Sequence, residues 1–210
     1  SKANEYFQKA SEQGDSSLIY FIGNLYNNGI CGEENILKAI EYYQRAANIG
    51  NADALFILGD FYFKGNEVEK DLSRAIGYYR QAAALNHPEA LNFLGICYKN
   101  GTGVEKNISE AIRCYTEAAR LGNSNSLNNL GTCYKNGEGV EKNLPKAIDY
   151  FRRSADLGNS FGMYNLGICY QKGEGVEKDL TAAFNYFQHA ANLGHTIALF
   201  IVNNWENINK

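Results

Sequence analysis

Leu94-Gly95-Ile96-Cys97-Tyr98-Lys99-Asn100-Gly101-Thr102-Gly103-Val104-Glu105-Lys106-Asn107 decides the fold, because the chain restates this stretch at a fixed interval. Leu-Gly returns at Leu58-Gly59, Leu130-Gly131 and Leu166-Gly167, with Ile22-Gly23 as a weaker copy, so the glycines fall at 23, 59, 95, 131 and 167, an interval of 36 residues. Tyr26, Tyr62, Tyr98, Tyr134 and Tyr170 follow three residues later, and Gly29, Gly65, Gly101, Gly137 and Gly173 three after that. No insertion breaks the phase. Such a chain is a repeat array and is read by column rather than by position.

A length of 210 residues would suit one or two ordinary domains, but an unbroken period points to a quasi-one-dimensional stack in which length counts repeats. A formal net charge of -3, from 20 Lys+Arg against 23 Asp+Glu, gives no basic excess, and a nucleic-acid partner is not expected. No apolar run reaches the roughly 18 residues that a membrane span needs, so membrane insertion is not expected either. Ala3, Tyr6, Phe7 and Ala10 occupy the columns of Ala39, Tyr42, Tyr43 and Ala46. Residues 1–13 are therefore expected to be the end of a repeat, from a chain cut out of something longer.

Cys97, Cys133 and Cys169 recur at the repeat interval like a metal or disulfide set. Their column also holds Leu25, Phe61 and Trp205, which marks an apolar core position where a thiol serves as a small hydrophobe. Cys114 stands in a column of tyrosines, Cys31 stands alone in a loop, and the total is odd. Reduced structural thiols and a cytoplasmic location are expected. No cofactor or metal is expected.

Apolar spacing is helical twice in each repeat. Ala54, Leu55, Leu58, Gly59, Phe61 and Tyr62 make one broad face of a helix A, and Leu72, Ala75, Ile76, Tyr79, Ala82, Ala83 and Leu85 make that of a helix B. Gly59 and Ala83 recur as small residues, which predicts a close approach of the two backbones there. Asp71, Asn107, Asn143 and Asp179 are expected to cap helix B, with Asn107 and Glu110 forming a capping box. Gly50, Gly122, Gly158, Gly194 and Asn86 are expected to end it. Asp15, Asn51, His87, Asn123, Asn159 and His195 are the expected caps of helix A, and Pro88 and Pro145 fit first turns. Glu67 replaces the glycines of Gly103, Gly139 and Gly175, at a cost of about 1 kcal/mol if that site needs positive φ. His195 to Trp205 restates helix A, but Asn203 and Glu206 replace packing residues, which predicts a closing cap.

The columns resemble the Sel1-like repeat family, a relative of the tetratricopeptide repeats. The match is carried by A-L-x-x-L-G-x-x-Y-x-x-G-x-G-V-x-K-D/N-x-x-x-A-x-x-Y-Y/F-x-x-A-A-x-L-G, which Ala90 to Gly122 follows except at Cys114. The resemblance implies an all-α fold: a right-handed α/α superhelical solenoid of helix A/helix B repeats, with helices A lining a concave face that holds proteins in an adaptor or scaffold. The expected organisation is a single solenoid over 1–210. It comprises a leading helix B at 1–13, repeats at 14–49, 50–85, 86–121, 122–157 and 158–193, and a terminal helix A or cap at 194–210. Secreted relatives carry two cysteines per repeat. Those positions hold Ala83 and Ala90, Ala119 and Ser126, and Ala155 and Gly162 here, so that branch and its penicillin-binding, β-lactamase-like activity are the disfavoured alternative; a regulatory interaction module cut from a larger multidomain protein is the other.

The loop Gly101-Thr102-Gly103-Val104-Glu105-Lys106 lacks the third glycine of a dinucleotide fingerprint and the Gly-Lys-Ser/Thr of a P-loop. It is expected to be an inter-helix turn. His87, His189 and His195 form no catalytic set, and no enzyme activity is expected. By the tetratricopeptide analogy, helix A presents inward the residues three before and one, four and five after its glycine. Candidate partner-binding residues are then Phe56, Asp60, Asn92, Ile96, Lys99, Asn100, Asn128, Thr132, Lys135, Asn136, Tyr164 and Ile168. Carboxamides there donate and accept at once, as an extended peptide backbone requires. Lys99 and Lys135 suit a carboxylate, and Tyr164 and Phe56 suit apolar side chains. Protein or peptide partners are expected, with self-association through the ends of the array as a further possibility.

Overall fold

The computed structural model describes residues 14–30, 35–65 and 67–208. The expected helix at 1–13, with Ala3, Tyr6, Phe7 and Ala10, lies outside the described residues, as do Cys31, Gly32 and the last two residues of the closing segment. In chain order the helices are α1 (Ser16–Asn27), α2 (Ile36–Asn48), α3 (Ala52–Lys64), α4 (Leu72–Ala84), α5 (Pro88–Asn100), α6 (Ile108–Arg120), α7 (Ser124–Asn136), α8 (Leu144–Asp156), α9 (Ser160–Lys172), α10 (Leu180–Asn192), α11 (Thr196–Asn203) and α12 (Trp205–Ile208). Odd-numbered members are helices A and even-numbered ones to α10 are helices B. No strand occurs among the described residues. The fold is all-α, built of successive helix pairs as in the α/α solenoid class.

The chain divides into two compact units, Ser1–Lys106 and Asn107–Lys210. The boundary falls inside the third repeat, between its helix A and its helix B. In the first unit α1 packs on α2, α2 on α3, α3 on α4 and α4 on α5. In the second the same succession runs from α6 to α11, and α7 also touches α9. Helices of 13 residues are too short to persist alone in water, so their stability comes from this packing.

Helices α1 and α3 to α11 begin where the sequence placed their caps, and Asn35, not among those expected, caps α2. Asp71, Asn107 and Asn143 accept from the third backbone N–H of α4, α6 and α8 at 2.9, 3.1 and 2.9 Å. The capping box is only half formed, because Glu110 Oε2 accepts from Arg113 instead of returning to Asn107. The helix A caps Asn51, His87, Asn159 and His195 are themselves buried and face the preceding helix A. Asn51 Nδ2 donates to the Ser16 carbonyl (3.3 Å), His87 Nε2 meets Asp53 (3.2 Å), and Asn159 Nδ2 donates to Asn125 Oδ1 (2.7 Å). His195 lies against the rings of Phe161 and Tyr164. A cap therefore satisfies its own helix and ties it to the helix A one repeat earlier.

Helix B ends on a left-handed residue each time: Gly50, Asn86, Gly122, Gly158 and Gly194 all have positive φ. Asn86, at φ 60°, is the one non-glycine with positive φ among the described residues. Glu67 has therefore abandoned the conformation of Gly103, Gly139 and Gly175, whose φ values are 70, 69 and 77°, and the strain expected of it does not arise. Those three glycines seat their loop on the first helix B residue of the previous repeat. A Cβ at Gly103 would meet Leu72 Cβ at 3.0 Å, and one at Gly175 would meet Leu144 Cβ at 2.8 Å.

The glycine of helix A has a different cause from the one expected. A Cβ at Gly23, Gly59, Gly131 or Gly167 would strike the ring of Tyr43, Tyr79, Phe151 or Phe187, at 2.5 to 2.6 Å. It makes room for an aromatic ring rather than for a backbone. Backbones approach instead between helix B and the next helix A, where a Cβ at Gly162 would meet Ala155 N at 3.0 Å and Ser154 Oγ at 2.6 Å. Ser154 is the larger occupant of an otherwise alanine column, and Gly162 gives way to it. Its hydroxyl donates to the Ser124 carbonyl at 2.8 Å.

The closing segment is not one helix A. α11 stops at Asn203, Asn204 caps it, and α12 starts at Trp205. The break lets the indole lie against Phe184 and Phe187, with ring centroids 5.2 and 5.9 Å apart.

Candidate partner-binding face

The largest fully buried side chains are the second aromatics of helix B: Tyr43, Tyr79, Tyr115, Phe151 and Phe187. A buried phenol needs an acceptor, and in the first unit helix A supplies it. Tyr43 donates to Asn24 Oδ1 at 2.8 Å and Tyr79 to Asp60 Oδ1 at 2.7 Å. Burial pushes the Tyr43 phenol up to about 12. It raises that of Tyr79 further, with the Asp60 hydrogen bond adding to it. Asp60 Oδ2 in turn holds Lys64 Nζ at 2.7 Å. Asp60 thus faces inward and is spent on the fold.

The other first-unit candidates divide. Phe56 packs among His87 (4.8 Å), Phe93 (5.6 Å) and Tyr79 (5.8 Å). Asn92 is only 5% exposed, which removes its carboxamide from the surface role expected of it. Ile96 and Lys99 are half-buried and Asn100 is exposed.

Beyond Tyr115 the second unit's ring loses its hydroxyl, and the helix A column opposite holds no acceptor for it. Phe151 and Phe187 are buried, and the residues nineteen before them are Thr132 and Ile168. Thr132 bonds its own helix, donating to the Asn128 carbonyl at 3.1 Å, and Ile168 joins the apolar cluster around Phe187. The polar groups of α7 and α9 are thereby left to one another. Asn165 Nδ2 donates to Asn128 Oδ1 at 2.7 Å. Lys135 Nζ lies 2.9 Å from Glu174 Oε2, an ion pair rather than an aligned hydrogen bond, and it holds the Glu174 carboxyl below its usual range. Asn136 donates to Glu138 at 3.0 Å. Tyr164 stacks on His195 at 4.5 Å.

Asn165 and Glu174 were missing from the sequence-derived set although both were legible. Asn129 and Asn165 interrupt a column otherwise filled by Phe21, Ile57, Phe93 and Ile201. Glu138 and Glu174 likewise follow Thr102 in a loop column.

Cys97, Cys114, Cys133 and Cys169 are buried free thiols, and burial pushes Cys97 up to about 11, far from the thiolate that nucleophilic chemistry needs. Among the described residues no group of three or more His, Cys, Asp or Glu is placed to hold a metal ion, and no helix is long and apolar enough to cross a membrane.

Residues 1–15, 16–51, 52–87, 88–123, 124–159 and 160–195 each match the Sel1 repeat. The chain belongs to the Sel1 repeat family. Among solved structures it is similar to c5321, a protective antigen of uropathogenic Escherichia coli with this fold: 33% identity, TM-score 0.85, over 95% of this chain and 43% of that one. It is also similar to a Sel1 repeat protein of Oxalobacter formigenes: 32% identity, TM-score 0.87, over 93% of this chain and 80% of the other. Cysteine rich protein B of Helicobacter pylori matches over 65% of this chain and 98% of its own length, with 31% identity and a TM-score of 0.51. A search of curated proteins gave no match. Sel1 repeat proteins are generally non-enzymatic scaffolds that bind other proteins.

Proposed function

We propose that this Sel1 repeat chain is an interaction scaffold that holds an extended segment of a protein partner along α7 and α9. The observation that carries the proposal is the Asn165–Asn128 bond at 2.7 Å. It uses one donor and one acceptor of two carboxamides, which leaves an Asn128 Nδ2 donor and the Asn165 Oδ1 acceptor on half-buried side chains. A peptide in extended conformation offers the complementary carbonyl and N–H. The Lys135–Glu174 pair beside it supplies both charges for neighbouring side chains of the partner, and Tyr164 an aromatic edge. Free buried thiols fit work in a reducing compartment such as the cytoplasm.

A peptide array probed with the purified chain tests this. An Asn128→Ala, Asn165→Ala double variant with unchanged circular dichroism and melting is expected to lose captured peptides by about tenfold or more, the scale of one to two hydrogen bonds. Undiminished capture would remove α7 and α9 as the binding face.

A further inference from the structure

Four helix A tyrosines are stacked on a helix B tyrosine: Tyr26 on Tyr42, Tyr62 on Tyr78, Tyr134 on Tyr150 and Tyr170 on Tyr186. Their centroids are 5.5 to 5.7 Å apart and their planes 11 to 15° apart. In three of the four, a cation twelve residues further on lies over the helix A ring. Lys38 Nζ is 5.2 Å from Tyr26, the Arg74 guanidinium 4.5 Å from Tyr62, and Lys146 Nζ 4.2 Å from Tyr134. Tyr98, whose stacking column holds Cys114, is served differently: Arg80 Nη2 donates to its hydroxyl at 3.1 Å. Twelve residues after Tyr170 stands Ala182. Among the described residues no cation lies over Tyr170.

The hollow beside Tyr170, walled by Val176, Glu177, Lys178, Asp179 and Leu180, measures about 680 Å³. The matching hollow beside Tyr62 measures about 640 Å³ with Arg74 in its wall. Lys178 is not the substitute, because its counterpart Lys70 lines the Tyr62 hollow in addition to Arg74. Arg152 and Asp156 act on the Tyr186 phenol through space, and neither covers the Tyr170 ring. Glu177 and Asp179 are both exposed, with Lys178 between them; Asp179 Oδ1 accepts from the Thr181 and Ala182 N–H groups, so the rim offers a guanidinium the Glu177 carboxylate and the second Asp179 oxygen.

We infer that the uncovered face of Tyr170 is a binding site for an arginine side chain presented by a protein partner. A guanidinium stacks flat on a tyrosine face and also forks toward carboxylates, which an ammonium does less well. The chain fills this place for itself at Tyr62 with the same group. The site lies off the α7–α9 carboxamide pair and stands or falls separately from it.

The test is a titration of N-acetyl-arginine amide into the full chain, followed through the aromatic NMR resonances of Tyr170 and Tyr186, with N-acetyl-norleucine amide as the neutral control. Saturable shifts in the millimolar range with the arginine probe alone are expected. Ala182→Arg places the cation in cis and should abolish them, as should Ala182→Lys, which copies Lys146. Arg74→Ala should create the same response at Tyr62. Equal shifts with the neutral probe, or shifts that survive both Ala182 variants, would overturn the assignment.

Discussion

The two units build the same helix pair with one oxygen atom's difference, and that atom changes what helix A has to offer. In Ser1–Lys106 the buried ring is a tyrosine, and Asn24 and Asp60 turn inward to accept from it. In Asn107–Lys210 the rings beyond Tyr115 are Phe151 and Phe187, opposite Thr132 and Ile168. The carboxamides Asn128 of α7 and Asn165 of α9 then pair laterally, as does Lys135 of α7 with Glu174 in the loop after α9. A polar residue on a repeat's inner column is thus evidence of a binding surface only after the core has taken what it needs.

The largest effect that separates the units is truncation of the ring. Tyr79→Ala and Phe151→Ala are each expected to cost about 3–5 kcal/mol, and Tyr79→Ala more, since it also strands a hydrogen-bonded Asp60 oxygen. Urea denaturation of both variants checks this, and a smaller loss for Tyr79→Ala would break the comparison. Next in size, Phe187→Tyr should cost about 1–3 kcal/mol by burying a hydroxyl against Ile168. Adding Ile168→Asn should restore most of it. A double-mutant cycle with no coupling would show that the hydroxyl and column are independent.

Asn159→Ala is expected to cost about 1–2 kcal/mol, because it removes both the cap of α9 and the bond to Asn125. Asp15→Ala should cost less, since the Asp15 carboxylate serves its own helix. Thermal melts of the pair decide.

The smallest effect is a pH dependence that His195 gives the second unit. Burial lowers the His195 pKa below its ordinary 6.5, and Nδ1 accepts the Ala198 N–H at 3.2 Å, so the folded state favours the neutral ring. The unfolded state binds the proton more readily. Stability is therefore complete above about pH 6.5 and declines as pH falls through the unfolded and then the folded value. His195→Asn should flatten that slope in melts between neutral and mildly acidic pH.

Much of the fold was legible because the period is unbroken. Helical faces, helix A caps from Asp15 to His195 and left-handed stops from Gly50 to Gly194 follow from single columns. What single columns cannot reveal is which two of them satisfy each other. Gly59 looked like a backbone contact because its partner, the Tyr79 ring, lies twenty residues on in another column. Asp60 looked like a ligand site for the same reason: Asn24 and Asp60 stand nineteen residues before tyrosines and Thr132 and Ile168 before phenylalanines, but Ile96 stands before Tyr115, so the column alone does not announce the pairing. The break after Asn203 was missed because Trp205 kept its column by folding back rather than by continuing α11.

The caps that reach back 34 or 35 residues carry a consequence for anyone who would splice such arrays. A junction at any of these seams severs a tie, so the incoming block must suit the residues that open the helix A before it. An asparagine is a permissive joint, content with the carbonyl of Ser16 or the carboxamide of Asn125. A histidine is a selective one, stacked on the aromatic of one column, Phe56 for His87 and Tyr164 for His195, with Asp53 added in the first place and Phe161 in the second. Blocks that open on His87 or His195 are therefore addressed to particular neighbours, and the order of the repeats is written at their seams.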